Sequence, residues 1–247
     1  MLETVLLFFV GLSATILGTL AGGGGLISLP AMLALGIPVH SAIGANKVTN
    51  SISSFFVFVM VLRHRGVTLN EGLKIVPVSL AGGITGGYVA SVIPPDRMYQ
   101  IAISLLIFAF LFSFINKASF DGTNTFRFKT RGTPLLYGIG IYDGMFGPGQ
   151  GTLMLYVFSY LRIAYYRAVG LMRAATFASC FGAAISYIAS GHIIWTLTFT
   201  LITGSLIGAQ IGVRLASQLN PDHIKPLLRV VTAILIIYVI VDNVWLA

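Results

Sequence analysis

Leu20–Gly36 reads LAGGGGLISLPAMLALG: four consecutive glycines, Gly22 to Gly25, lie between apolar segments, and Pro30 follows closely. Each glycine inside a helix costs roughly 1 kcal/mol relative to alanine, so the run predicts a helix break. In a membrane the freed backbone groups would have no water to bond. Such a break survives only where it is buried in protein or lines a wet cavity. A helix restarting at about Gly25 would aim bare N–H groups and the positive end of its dipole at whatever occupies that space.

The surrounding composition places the break in a membrane. Of the 247 residues, 56% are hydrophobic and only 9% charged, against about 25% charged in a soluble domain. Ten apolar segments run at roughly 4–20, 26–37, 42–62, 73–93, 98–115, 134–147, 152–161, 168–189, 194–213 and 227–247. Several reach the ~20 residues a membrane span requires, whereas 26–37 and 152–161 are too short alone. Residues 5–20 have the length of a signal-peptide core, but Glu3 precedes them and no Lys or Arg does, so they read as a mature segment. The net charge of +8 sits mainly in short loops, which makes it a topology signal rather than a nucleic-acid footprint. The single cysteine, Cys180, excludes an intrachain disulfide and a thiolate metal cluster. No metal or other cofactor is expected.

The break has a twin. At an offset of 126 residues, Gly25 falls on Gly151 and the halves align without a gap: Gly18 on Gly144, Gly23 on Gly149, Gly44 on Gly170, Gly82 on Gly208, and Pro95-Asp96 on Pro221-Asp222. A repeat this long is half a transporter rather than a solenoid unit. The reading is a first membrane repeat at 1–116, a cytoplasmic linker at 117–133 and a second membrane repeat at 134–247. Loop charge then gives orientation. Arg63, Arg65 and Lys74 place that loop inside, with the linker; Arg162 and Arg167 place the first loop of the second half inside as well. Gly36–Ser41 and Ser190–Ile194 carry no Lys or Arg and fall outside. Equivalent loops thus lie on opposite faces and both termini are external. The fold class expected is all-α membrane protein, with two inverted-topology repeats, glycine-broken helices and about 8–10 membrane segments. That arrangement suits a secondary transporter with its site at the repeat interface.

The second break, Met145–Thr152 (MFGPGQGT), adds Pro148. Two symmetric breaks would bring two helix N-termini together as an anion cradle, where close packing through small residues is the alternative. Behind the first break, Asn46, Asn50 and Ser53 recur on one helical face. Lys47 and Arg173 are one repeat apart. A buried cation tends to face a cavity, although Lys47 is near enough to its helix start to snorkel. Asp143 is an acid inside an apolar segment, able to pair with Arg173 or Lys47, or to carry a proton. His40, His64, His192 and His223 lie in or near loops without metal-ligand spacing and read as surface residues.

These residues carry a resemblance. Gly22-Gly23-Gly24-Gly25 with Pro30, Ala42-x-Gly44-Ala45-Asn46-Lys47, Gly147-Pro148-Gly149-Gln150-Gly151 and Ala168-x-Gly170 resemble the TauE/SafE family of sulfite- and sulfonate-exporting permeases over nearly the whole chain. The resemblance implies transport of small sulfur-containing or organic anions, with proton coupling. The second half departs from the pattern, with Tyr156 where the first repeat has Pro30.

The function expected is therefore secondary transport of a small anion by alternating access in the cell membrane. Candidate binding residues are Gly24, Gly25, Asn46, Lys47, Asn50, Gly149, Gln150, Gly151 and Arg173, with Asp143 as the coupling or ion-pair candidate. The alternatives are an anion channel of the same fold and an intramembrane enzyme built on Ser205. The partners are the anion, the bilayer and a coupling proton, with no nucleic acid.

Overall fold

The computed structural model describes residues 2–21, 24–63, 67–114, 132–216 and 221–245. Gly22, Gly23, His64, most of the linker and the last residues lie outside the described set, as do the side chains of His223 and its neighbours. The fold is all-helical. Its elements are α1 (Leu2–Ala21), α2 (Gly25–Ala34), α3 (Val39–Arg63), α4 (Leu69–Val92), α5 (Pro95–Phe112), α6 (Gly132–Met145), α7 (Gln150–Tyr160), α8 (Tyr165–Ala189), α9 (Trp195–Ala216) and α10 (Pro221–Trp245). Among the described residues, α3, α4, α5, α8 and α9 are long and apolar enough to cross a membrane. The chain is a multi-pass membrane protein.

The two breaks produce the two short helices. At 10 and 11 residues, α2 and α7 rise about 15 Å each, roughly half the hydrocarbon thickness. Before α7 the backbone turns through positive φ at Gly147 (+102°) and Gly149 (+81°), conformations that glycine adopts without a Cβ penalty. Before α2, the described Gly24 is already right-handed, and α2 starts at Gly25, as the glycine run predicts.

Packing between the long helices uses small residues. A Cβ on Gly82 of α4 would lie 2.6 Å from the Tyr137 carbonyl of α6, and one on Gly11 of α1 would lie 2.6 Å from the Leu201 carbonyl of α9. Backbones in such contact associate through van der Waals packing where lipid supplies no hydrophobic drive. The pairings are reciprocal across the repeat: α1 packs on α9, and its equivalent α6 packs on α4; α3 and α8 pack on each other. The core lies between these pairs, with Ile43, Leu29, Met32 and Tyr187 fully enclosed in one cluster and Ile75, Leu136 and Phe158 in another.

The ends of the helices are tied. Thr68 and Glu71 form a reciprocal capping box at the start of α4. Glu71 also pairs with Arg167 in the first turn of α8.

Candidate functional site

The two breaks meet. A Cβ on Gly25 would lie 3.3 Å from Cα of Pro148, so the start of α2 abuts the loop that leads into α7. Around this junction lies a cavity of about 70 Å³, lined by both breaks and by polar residues of α3 and α8. A single water needs about 10–15 Å³ on this measure, so the space suits a ligand of a few heavy atoms.

The α3 side is a hydrogen-bond chain. Asn50 Nδ2 donates to Asn46 Oδ1, Asn46 Nδ2 donates to Ser28 Oγ at 2.7 Å, and Ser28 Oγ donates to the Gly24 carbonyl at 3.3 Å. The chain exists because Asn46 and Asn50 are one turn apart on α3 and α2 crosses at Ser28. It fixes the first turn of the half-helix against a full-length one.

Lys47 does not snorkel. It is 1% exposed, and its Nζ donates to Asp143 Oδ1 at 3.0 Å. Asp143 is 3% exposed; its other oxygen accepts from Ser179 Oγ and from Cys180 Sγ at 3.4 Å. Ser179 has one hydroxyl proton for three acceptors, Asp143 Oδ2 and the carbonyls of Ala175 at 3.0 Å and Thr176 at 3.3 Å. Gly147 covers the pair: a Cβ there would lie 2.8 Å from Asp143 Oδ1 and would collide with Lys47 Nζ. Of the two partners open to Asp143 in the sequence, the fold selects Lys47, so the lysine charge is already matched.

Arg173 is placed differently. Its guanidinium donates to the Gly18 carbonyl of α1 at 3.0 Å, and its Nε is buried without a hydrogen-bond partner among the described residues. No described carboxylate pairs with it. The two cations are nevertheless used symmetrically: each reaches from the helix behind its own break to the helix before the other break. Position 143 holds Asp, whereas position 17, 126 residues earlier, holds Leu, so Arg173 has no matching carboxylate among the described residues.

Gln150 opens α7 and is 4% exposed. Thr176 on α8 has one hydroxyl proton for two acceptors, Gln150 Oε1 at 3.1 Å and the Met172 carbonyl at 2.9 Å. Gln150 Nε2 is buried and unpartnered, as is Thr49 Oγ1. Gln150, Thr49 and Arg173 all line the cavity, and so do Gly24, Gly25, Gly149 and Gly151. Every candidate residue named from the sequence thus borders one space. Ser28, Thr49 and Thr176 were not among them. Thr49 has Ala175 as its repeat equivalent, so the repeat gives no hint of it, and the role of Ser28 depends on where α3 crosses α2.

Two surface readings change. His40 is buried; its Nε2 donates to the Ala90 carbonyl at 3.1 Å, and its ring stacks on His192 at 4.6 Å between centroids. The loop after α8 folds over the start of α3, a long-range contact that local sequence does not display. Burial first, and then His40, hold the His192 imidazole below its usual range. Ser205 shares a 2.7 Å hydrogen bond with Thr15, a hydroxyl rather than a base.

The family model that matches is Sulfite exporter TauE/SafE, over residues 7–239. A probable membrane transporter protein, ORF9, from Sinorhizobium sp is 32% identical over 242 residues, covering 96% of this chain and 92% of the relative. YfcA of Escherichia coli K12, also named a probable membrane transporter protein, is 25% identical, with 96% and 89% covered. A probable membrane transporter protein of Haemophilus influenzae is 27% identical, with 97% and 95% covered. No solved structure matches significantly.

Proposed function

Because the chain belongs to the sulfite exporter TauE/SafE family of membrane transporters, we propose that it carries a small anion, sulfite or a sulfonate first of all, by alternating access at the cavity between its two broken helix pairs. The observation that carries this reading is the unmatched charge of Arg173 beside a cavity of a few heavy atoms' size. A buried guanidinium without a carboxylate is costly unless an anion joins it, and its fork matches an oxyanion's geometry. The unpartnered Nε2 of Gln150 and hydroxyl of Thr49 add neutral donors that would replace part of the anion's hydration. Both halves contribute to the cavity, so rocking one half against the other would open it to one face and then to the opposite one.

The test is anion binding to purified protein by calorimetry, together with uptake and counterflow in proteoliposomes. Arg173→Gln keeps a donor and removes the charge. Anion affinity should fall by at least about tenfold, the equivalent of ~1.4 kcal/mol, while the protein still inserts. Flux that neither saturates nor shows counterflow would identify a channel instead. Binding of no oxyanion, or unchanged affinity in Arg173→Gln, would sink the proposal.

A further inference from the structure

Among the described residues, the charged side chains lining the cavity are Lys47, Asp143 and Arg173. Lys47 and Asp143 cancel, since they form a buried ion pair with a single N–O contact at 3.0 Å. What remains is one formal positive charge, on Arg173.

We infer that Asp143 sets the valence of the substrate: by neutralising Lys47 it leaves a site matched to a monovalent oxyanion and mismatched to a divalent one. The inference rests on the anion-transport reading above and narrows it. A monoanion beside Arg173 brings the cavity to neutrality. A dianion leaves a net negative charge in a region of low dielectric, where an uncompensated charge is expensive. The repeat supports a specific role for the acid. Its equivalent, Leu17, lies on the helix that Arg173 reaches, so a carboxylate is present on one side of the pseudo-symmetric pair and missing on the other. Within the family description, sulfite titrates between its mono- and dianion near neutrality, whereas a sulfonate is a monoanion at any ordinary pH. The site should therefore take sulfonates, or sulfite in its hydrogensulfite form.

Two permanently ionised probes separate valence from protonation: methanesulfonate for the monoanion and sulfate for the dianion. Calorimetry on the full-length protein at matched ionic strength should give wild-type affinity at least about tenfold higher for methanesulfonate. Asp143→Asn releases the lysine charge, and the ratio should fall by about tenfold or invert. Lys47→Met combined with Asp143→Asn returns the site to one positive charge and should restore the preference for methanesulfonate. A structural role for Asp143 would lower both affinities together without changing their ratio. A wild type that prefers sulfate overturns the inference, as does a folded Asp143→Asn protein with the wild-type ratio or a double variant that prefers sulfate. Where Asp143→Asn fails to fold, the wild-type ratio can still overturn the inference and the double variant carries the test of Asp143. A wild type that binds neither probe, nor any other oxyanion, overturns the transport reading itself.

Discussion

Lys47 and Asp143 are nearly without solvent contact, so each depends on the other. Removing one partner of a buried pair strands a charge, at about 3–5 kcal/mol, while replacing both by apolar residues is often close to neutral. Lys47→Gln should therefore destabilise the folded protein by about 3 kcal/mol or more, and Lys47→Met with Asp143→Leu should recover most of that loss. A double-mutant cycle on denaturation in mild detergent measures the coupling, and additive effects would mean that the pair is not formed. His192 allows a pH prediction. Its imidazole is held below the ordinary range by burial and by His40. The folded state thus resists a proton that the unfolded chain accepts. Its contribution is complete above the ordinary histidine value of about 6.5 and is lost as pH falls through the lowered one. The melting temperature should drop as pH falls below the ordinary histidine value of about 6.5, and His192→Gln should flatten that slope. An identical slope in the variant would remove His192 as its source. The aromatic and titratable groups facing His192 are His40 of α3 and Tyr187 of α8.

Helix packing depends on what is missing from certain side chains. Gly82 faces the Tyr137 carbonyl of α6, and its repeat equivalent Gly208 faces Leu12 of α1. Even one methyl group at either position must push two backbones apart. Overpacking costs typically about 1–3 kcal/mol, so Gly82→Val and Gly208→Val should each lower the melting temperature while insertion and the helical circular dichroism persist. Unchanged stability in both would place the α4–α6 and α1–α9 contacts elsewhere. The glycine pattern and the length of α2 and α7 are legible in the sequence because they are local: a break shows as Gly and Pro, and a short apolar run shows as a short helix. The offset of 126 residues makes the second break recognisable without contacts. What the sequence leaves open is register between helices. Spacing along α3 puts Asn46 and Asn50 on one face, but nothing along α3 says that Ser28 will meet Asn46 or that Asp143 will choose Lys47 over Arg173. His40 reads as a loop residue for the same reason, since only the packed α8–α9 loop buries it.

The halves of the molecule also test their own orientation. Charge counting puts loops 63–74 and 162–167 on the inner face, and loops 36–41 and 190–194 on the outer one. The fold groups them the same way by contacts that owe nothing to that rule. Glu71 at the start of α4 pairs with Arg167 at the start of α8, and His40 at the start of α3 stacks on His192 in the loop after α8. The 25 residues of α3 separate these two contact sites by about 38 Å, enough to cross a membrane. Loop 36–41 therefore lies at the opposite end of α3 from loop 162–167, which stands 126 residues further along the sequence. The prediction is that single cysteines at His64 and Ser119 are protected from an impermeant thiol reagent applied outside. Cysteines at Ser190 and at the C-terminus should be labelled, in a background with Cys180 replaced. Cys180 itself is buried, so its replacement by alanine or serine should leave the background folded. Labelling at Ser119 from outside with His64 still protected, or protection of the C-terminus with Ser190 still labelled, would break the inversion. A swap of all four results would preserve the inversion and reverse the whole molecule, because the internal pairings fix the loops relative to each other and the Lys and Arg count alone fixes which face is inside.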